Sequence, residues 1–69
     1  MLRDKQGNAL AGDVVAIDST NCVGRSEGRK VVLLGVSDLI VAESGQYILV
    51  CHRDKTQEIK GLPERLGVG

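Results

Sequence analysis

The sequence contains no phenylalanine and no tryptophan, and its single aromatic residue is Tyr47. It has one proline, one histidine and two cysteines, and its nine basic residues are matched by nine acidic ones. Each scarcity excludes something. A net charge of zero, with no basic run and no aromatics on which bases could stack, argues against nucleic-acid binding. No apolar stretch approaches the ~20 residues of a membrane span, and no signal peptide is expected ahead of the domain. Two cysteines are too few for a disulfide-stapled secreted scaffold. What is present is aliphatic: nine Val, eight Leu and four Ile in 69 residues. That length suits one small domain. A chain so short buries only ~60% of its unfolded surface, and it lacks the side chains that contribute most buried area. It is therefore expected to lean on a second copy or a larger domain.

The aliphatics come in bursts. Residues 1–8 form a polar lead-in segment in which Gly7-Asn8 suits a tight turn. Val14–Ile17, Cys22-Val23, Val31–Leu34, Leu39–Val41 and Tyr47–Cys51 follow, separated by Asp18–Asn21, Ser26–Arg29, Gly35 and Glu43–Gly45. None is long enough for a helix, and six short strands at roughly 8–10-residue spacing indicate an all-β roll, barrel or solenoid over residues 9–53. Consecutive apolar residues predict strands covered on both faces, one by the core and one by a partner. Ser26–Arg29 reads as a hairpin-type turn with Gly28 at positive φ. The tail, residues 54–66, changes character but belongs to the same domain. Asp54 with Gln57 resembles a capping box, and Ile59, Leu62 and Leu66 share a helical face. This predicts a short C-terminal helix over 54–60, a second turn starting at Pro63, and fraying over 67–69.

Candidate chemistry is sparse. Cys51-His52 joins two soft ligands, but zinc needs about four, and only Cys22 is at hand. Cys22 and Cys51 are expected to be independent reduced thiols, because nothing marks the chain as secreted. Neighbours on a strand point to opposite faces, so Cys51 and His52 do not make a nucleophile pair. Asp13, Asp18 and Asp38 flank the bursts and are expected to accept backbone amides in turns. Gly24-Arg25-Ser26-Glu27-Gly28 looks superficially like a phosphate loop, without the Gly-Lys-Ser/Thr ending or a following helix. Arg25, Arg29 and Lys30 read as a solvated rim or as contacts to a covering domain. No catalytic, cofactor-binding or metal-binding residue is expected.

The order of short motifs is more specific than any one of them. Asp4–Asn8, Gly12–Val14, Asp18–Cys22, Ser26–Arg29, Gly35–Val41 and Gln57–Lys60 together resemble the C-terminal portion of bacterial mannose-1-phosphate guanylyltransferases, including those fused to a mannose-6-phosphate isomerase. The resemblance runs from residue 4 to about 66. It implies a partial left-handed β-helix ending in a helix, placed after a nucleotidyltransferase domain that holds Mg²⁺ and GTP. It also implies a cytoplasmic protein and a non-catalytic role in packing on that domain and in building a dimer. The family's tail helix is continuous where Gly61-Leu62-Pro63 breaks this one, and none of its catalytic motifs has a counterpart here. The other reading of the residues is a free-standing small β module for self-association or protein binding. The contact surface is expected to include Val31, Leu33, Ile40 and Ile48 or their strand neighbours.

Overall fold

The computed structural model describes residues 4–67, and six short strands carry the fold. They are β1 (Ala9–Ala11), β2 (Val14–Ile17), β3 (Val23–Ser26), β4 (Val31–Leu34), β5 (Leu39–Ser44) and β6 (Tyr47–His52). A 3-10 segment, Arg53–Gly61, and one α-helix, α1 (Leu62–Leu66), complete the chain. The strands fall into a four-stranded sheet in the order β1-β3-β5-β6 and a two-stranded sheet of β2 and β4. Pairing is parallel throughout except between β5 and β6. Successive strands thus alternate between two sheets, and each coil of chain stacks on the one before. This is the arrangement of a short parallel β-helix with an antiparallel strand added at its end.

Stacked coils must turn at the same places, and the backbone shows how. Gly7, Asn21 and Asp38 lie two residues or one residue ahead of β1, β3 and β5, and all three adopt left-handed φ. Asn and Asp tolerate that region better than other side chains. The Asn21 Nδ2 donates to Asp38 Oδ1 at 2.7 Å, and Arg53 donates from Nη1 to both Asn21 oxygens, tying the column together.

The sequence predicts a hairpin at Ser26–Arg29, but β3 and β4 lie in different sheets and do not pair. The segment is a corner between coils, and Gly28 is not at positive φ; Gly12, at the equivalent corner one coil earlier, is. Both corners lead through polar or glycine residues into an apolar strand, so sequence pattern alone does not separate a hairpin from a corner. The two-residue turn that does reverse the chain is Gly45-Gln46, and β5 runs through Glu43 and Ser44, which were expected to end it. β1 is missed by the burst pattern because Ala9-Leu10-Ala11 has no β-branched residue.

The core is small. Cys22, Leu33 and Val41 are its buried centre, with Leu10, Val14, Ala16, Val31, Val36 and Leu39 packed around them. Polar groups continue it toward the first coil. Buried Asn8 accepts the Cys22 amide at 2.9 Å and donates to Ser19 O and Asp4 Oδ2, while buried Ser19 donates to Ile17 O and Leu33 O. Buried polar groups of this kind are tolerated because each is satisfied.

The tail differs from expectation in type. The stretch expected as a helix over 54–60 is 3-10, and its N-cap is His52, whose Nδ1 accepts the Asp54 amide at 3.1 Å. Asp54 therefore sits inside the first turn and does not act as the cap. Pro63 stands in the first turn of α1, where its missing N–H removes no helical bond. Ile59 and Leu62 are half-buried, whereas Leu66 is exposed, so the three do not share one covered face. Gly67 closes α1 in the left-handed conformation. The fraying expected of Val68 and Gly69, and the first three residues of the lead-in segment, lie outside the described residues.

Cys22 and Cys51 are both free thiols, the first fully buried and the second partly so. Their reactivity should differ accordingly. A thiol reagent added to native protein is expected to modify Cys51 and spare Cys22, and both should react after denaturation without reductant. Loss of both thiols, with a mass lower by two protons, would show that they pair instead.

Candidate functional site

Two features stand out: a corner held by a buried carboxylate, and aliphatic side chains left uncovered among the described residues. The corner arises from unequal coil lengths. Ala9 sits beside Val23, 14 positions on, whereas Val14 sits beside Val31, 17 positions on. The β3–β4 corner is therefore three residues longer than the β1–β2 corner. Three extra residues bring extra backbone donors, and those of residues 27–29 find a partner in the neighbouring strand.

Glu43 supplies the partner. Paired with Ser26 in the β3–β5 ladder, it is only 4% exposed, and its Oε1 receives four donors. These are the Arg29 amide at 2.9 Å, the Ser26 hydroxyl at 2.9 Å, the Gly28 amide at 3.0 Å and the Glu27 amide at 3.2 Å. The same Ser26 hydroxyl, which has one proton to give, also lies against Arg29 O. Successive amides converging on one oxygen form an anion-binding concavity. The Arg29 and Gly28 amides and the Ser26 hydroxyl hold the Glu43 carboxyl down to about 2. The phosphate-loop look-alike at Gly24–Gly28 thus does bind an anion, and the anion is the chain's own Glu43. Sequence reasoning took Glu43 for a strand breaker. The available signal was an acidic residue 17 positions after Ser26, one coil length away.

The other candidates do not assemble. Asp13 pairs with Lys30 at 3.6 Å on the surface, Asp38 accepts from Asn21, and Asp18 lies in a left-handed turn. The carboxylates that take backbone amides are instead Asp4, from Gln6 and Asn8, and Glu43. Arg25 and Arg29 are exposed. Cys51 donates its thiol to His52 O, and Cys22 lies in the core. Among the described residues no three His, Cys, Asp or Glu side chains come together to hold a metal.

The aliphatic surface follows from strand alternation. In β2 and β4 the even members of each burst turn outward: Val15 and Ile17 lie beside Val32 and Leu34 in register, and all four are exposed, Leu34 by 65%. Of the residues expected to form a contact surface, Leu33 is instead buried in the core and Val31 and Ile40 are half-buried; Ile48 is exposed. The strand neighbours Val32 and Leu34 take the outward role. Covering on both faces holds for β5, whose residues are all buried or half-buried, but fails for β2 and β4, over which no further layer lies among the described residues.

Comparison with known proteins places this architecture. Residues 12–66 match the family model described as MannoseP isomerase/GMP-like beta-helix domain. Alginate biosynthesis protein AlgA of Pseudomonas aeruginosa is 34% identical over 58 residues, 84% of this chain and 12% of that protein. Mannose-1-phosphate guanylyltransferase of Klebsiella pneumoniae is 34% identical over 64 residues, 93% of this chain and 14% of that protein. The crystal structure named for mannose-1-phosphate geranyltransferase from Thermus thermophilus superposes with a TM-score of 0.83 at 34% identity, covering 96% of this chain and 20% of that one. The chain thus spans a small fraction of the relatives it matches. Stacked parallel coils, an all-β body with a short helical tail and a family match over most of the length agree: this chain belongs to the MannoseP isomerase/GMP-like beta-helix domain family.

Proposed function

We propose that the chain is the non-catalytic C-terminal domain of a cytoplasmic mannose-1-phosphate guanylyltransferase, the enzyme that joins mannose 1-phosphate and GTP into GDP-mannose and pyrophosphate. Its work is to pack on the nucleotidyltransferase domain and to help bring two copies together. Mg²⁺ and GTP belong to the nucleotidyltransferase part. The observation that carries this reading is the aliphatic outer face of β2 and β4, with Val15, Ile17, Val32 and Leu34 exposed in register. A contiguous apolar patch on so small a body marks a contact surface. The one carboxylate buried in the described fold, Glu43, is already engaged by four donors, which suits it to holding a corner and not to proton transfer.

Phosphoryl transfer of this kind depends on metal-bound acidic ligands and a cradle for the phosphates. Purified chain supplied with GTP, mannose 1-phosphate and Mg²⁺ is expected to release no pyrophosphate above the buffer blank. Release in proportion to protein concentration would overturn the non-catalytic assignment.

A further inference from the structure

β6 ends on His52, and the tail begins there. We propose that His52 is a pH-sensitive latch: its neutral ring caps the tail, residues 54–66, and holds it against β6, and protonation of the ring releases the tail while the β body stays folded.

The tail is poised for release. Neither the 3-10 segment nor α1 contains a buried residue. Its ion pairs, Lys55–Glu58 at 3.5 Å and Arg65–Glu58 at 3.4 Å, are internal to it and leave with it. Leu49, Ile59 and Leu62 line the clefts on both sides of the tail, so these three half-buried side chains are what β6 and the tail share. Arg53 is anchored separately, by its amide on Asp38 O at 2.8 Å and its guanidinium on Asn21, and stays with the body. A segment with so few buried contacts opens before the rest of a fold does. A small change at its first turn therefore decides whether it stays docked.

His52 stands at that turn. Its Nδ1 accepts the Asp54 amide at 3.1 Å, which requires the proton of the neutral ring to sit on Nε2. Histidine is the side chain that ordinarily changes charge between about pH 5 and pH 8. Once protonated, Nδ1 is a donor facing another donor, and the cap is lost. Charges of both signs then act on the imidazolium. Asp54 Oδ2, 3.6 Å from Nδ1, attracts it, but that side chain is 88% exposed and such a pair contributes little. Lys55 and Arg65 line the same cleft as His52, with only Glu58 between them, and repel it. Cys51, also in this cleft, gives its thiol proton to His52 O. From the body, the Asp38 carboxylate and the Arg53 guanidinium are both engaged by Asn21. The capped form thus exists only with the neutral ring, so docking is full at neutral and basic pH and is lost as the ring takes up its proton. Release uncovers Leu49 and frees Ile59 and Leu62, so the surface beside β6 that a neighbour would meet changes with pH.

NMR of the full chain at about pH 7.5 and about pH 5.5 tests this. Over that range Glu43, held at about 2, keeps its charge and the β3–β4 corner stays closed. The open fraction of the tail, read from its amide shifts and heteronuclear NOEs, is expected to rise at least about fivefold on acidification, the size of a lost N-cap. The rise should follow the ring resonances of His52, with the strand amides unchanged. His52→Asn supplies a side-chain oxygen that caps and never ionises, so its tail should stay docked at both pH values. A parent tail equally docked at both, or an asparagine variant whose tail opens in acid as the parent's does, overturns the latch. Should asparagine fail to cap at all, the nitrogen shifts of the parent's ring decide: the neutral ring must carry its proton on Nε2, and a proton on Nδ1 overturns the proposal.

Discussion

Replacing Gly12 by alanine is expected to cost at least ~3 kcal/mol. Two penalties add. Gly12 has φ +82, a region that costs a residue with a side chain roughly 1–3 kcal/mol. A Cβ placed there would also lie 2.1 Å from the Ser26 carbonyl oxygen. That oxygen belongs to the backbone of the next coil, at the end of the ladder that β3 makes with β1 and β5, so it cannot move aside as a side-chain tip would. Domains of this length have about 3–10 kcal/mol of stability in total. By the usual ~4–8 °C per kcal/mol, the melting temperature should drop by ~12 °C or more. Gly28→Ala is the control. It occupies the equivalent, longer corner with open space around its Cβ position and without positive φ, so it should stay within about 1 kcal/mol of the parent. Thermal melts of the two variants check this. Near-equal melting temperatures would mean that the first corner is not built as described.

That contrast also shows what the sequence could and could not disclose. Strand positions were legible because β-branched bursts and turn residues have short-range causes, and five of the six strands overlap a burst. Which strand lies beside which was not legible from those bursts. A parallel coil pairs Val14 with Val31 and Val23 with Ile40 through long-range stacking, and the same bursts would serve a chain of hairpins. The strand spacing admits a roll, a barrel or a solenoid alike, and the ordered set of motifs, through its family resemblance, is what narrows it to a β-helix. Gly28 looked like the special glycine because it stands among polar residues, but the corner there has three residues to spare and no need of unusual φ. Gly12 carries the constraint because its corner is short. The tail reads as helical because its polar residues carry no sign that would tell 3-10 from α winding; the 3-10 segment begins at the His52 cap and ends where Gly61-Leu62-Pro63 starts α1. Glu43 was hidden for a related reason: its four donors lie one coil earlier, and no local pattern announces a carboxylate that reaches across a rung.

Acid should loosen this protein chiefly through that carboxylate. Glu43 titrates at about 2 in the folded chain, against an ordinary value of 4.5, because the Arg29 and Gly28 amides and the Ser26 hydroxyl favour its charged form. A folded value below the unfolded one means that the folded state releases its proton first. The contribution is then full above about 4.5 and disappears as the pH falls toward 2. Asp4 acts in the same direction, its carboxyl lowered by hydrogen bonds from the Asn8 amide and side chain. The surface pair Lys30–Asp13 adds little, since exposed pairs are worth about 0–1 kcal/mol. Melting temperature should therefore be flat near neutrality and fall steeply between pH 4.5 and pH 2. Glu43→Gln isolates the corner. The amide keeps the size of the side chain and one oxygen to accept the four donors, but it lacks the negative charge that strengthens those bonds. At pH 7 it should melt well below the parent, by more than an Asp13→Asn variant does. As the pH falls the gap should close, because the parent's Glu43 becomes neutral while the glutamine does not change. Two melting curves that stay parallel from pH 7 to pH 2 would show that Glu43 is not what pins the corner, and that the long β3–β4 connection is held by its pairing with the strands alone.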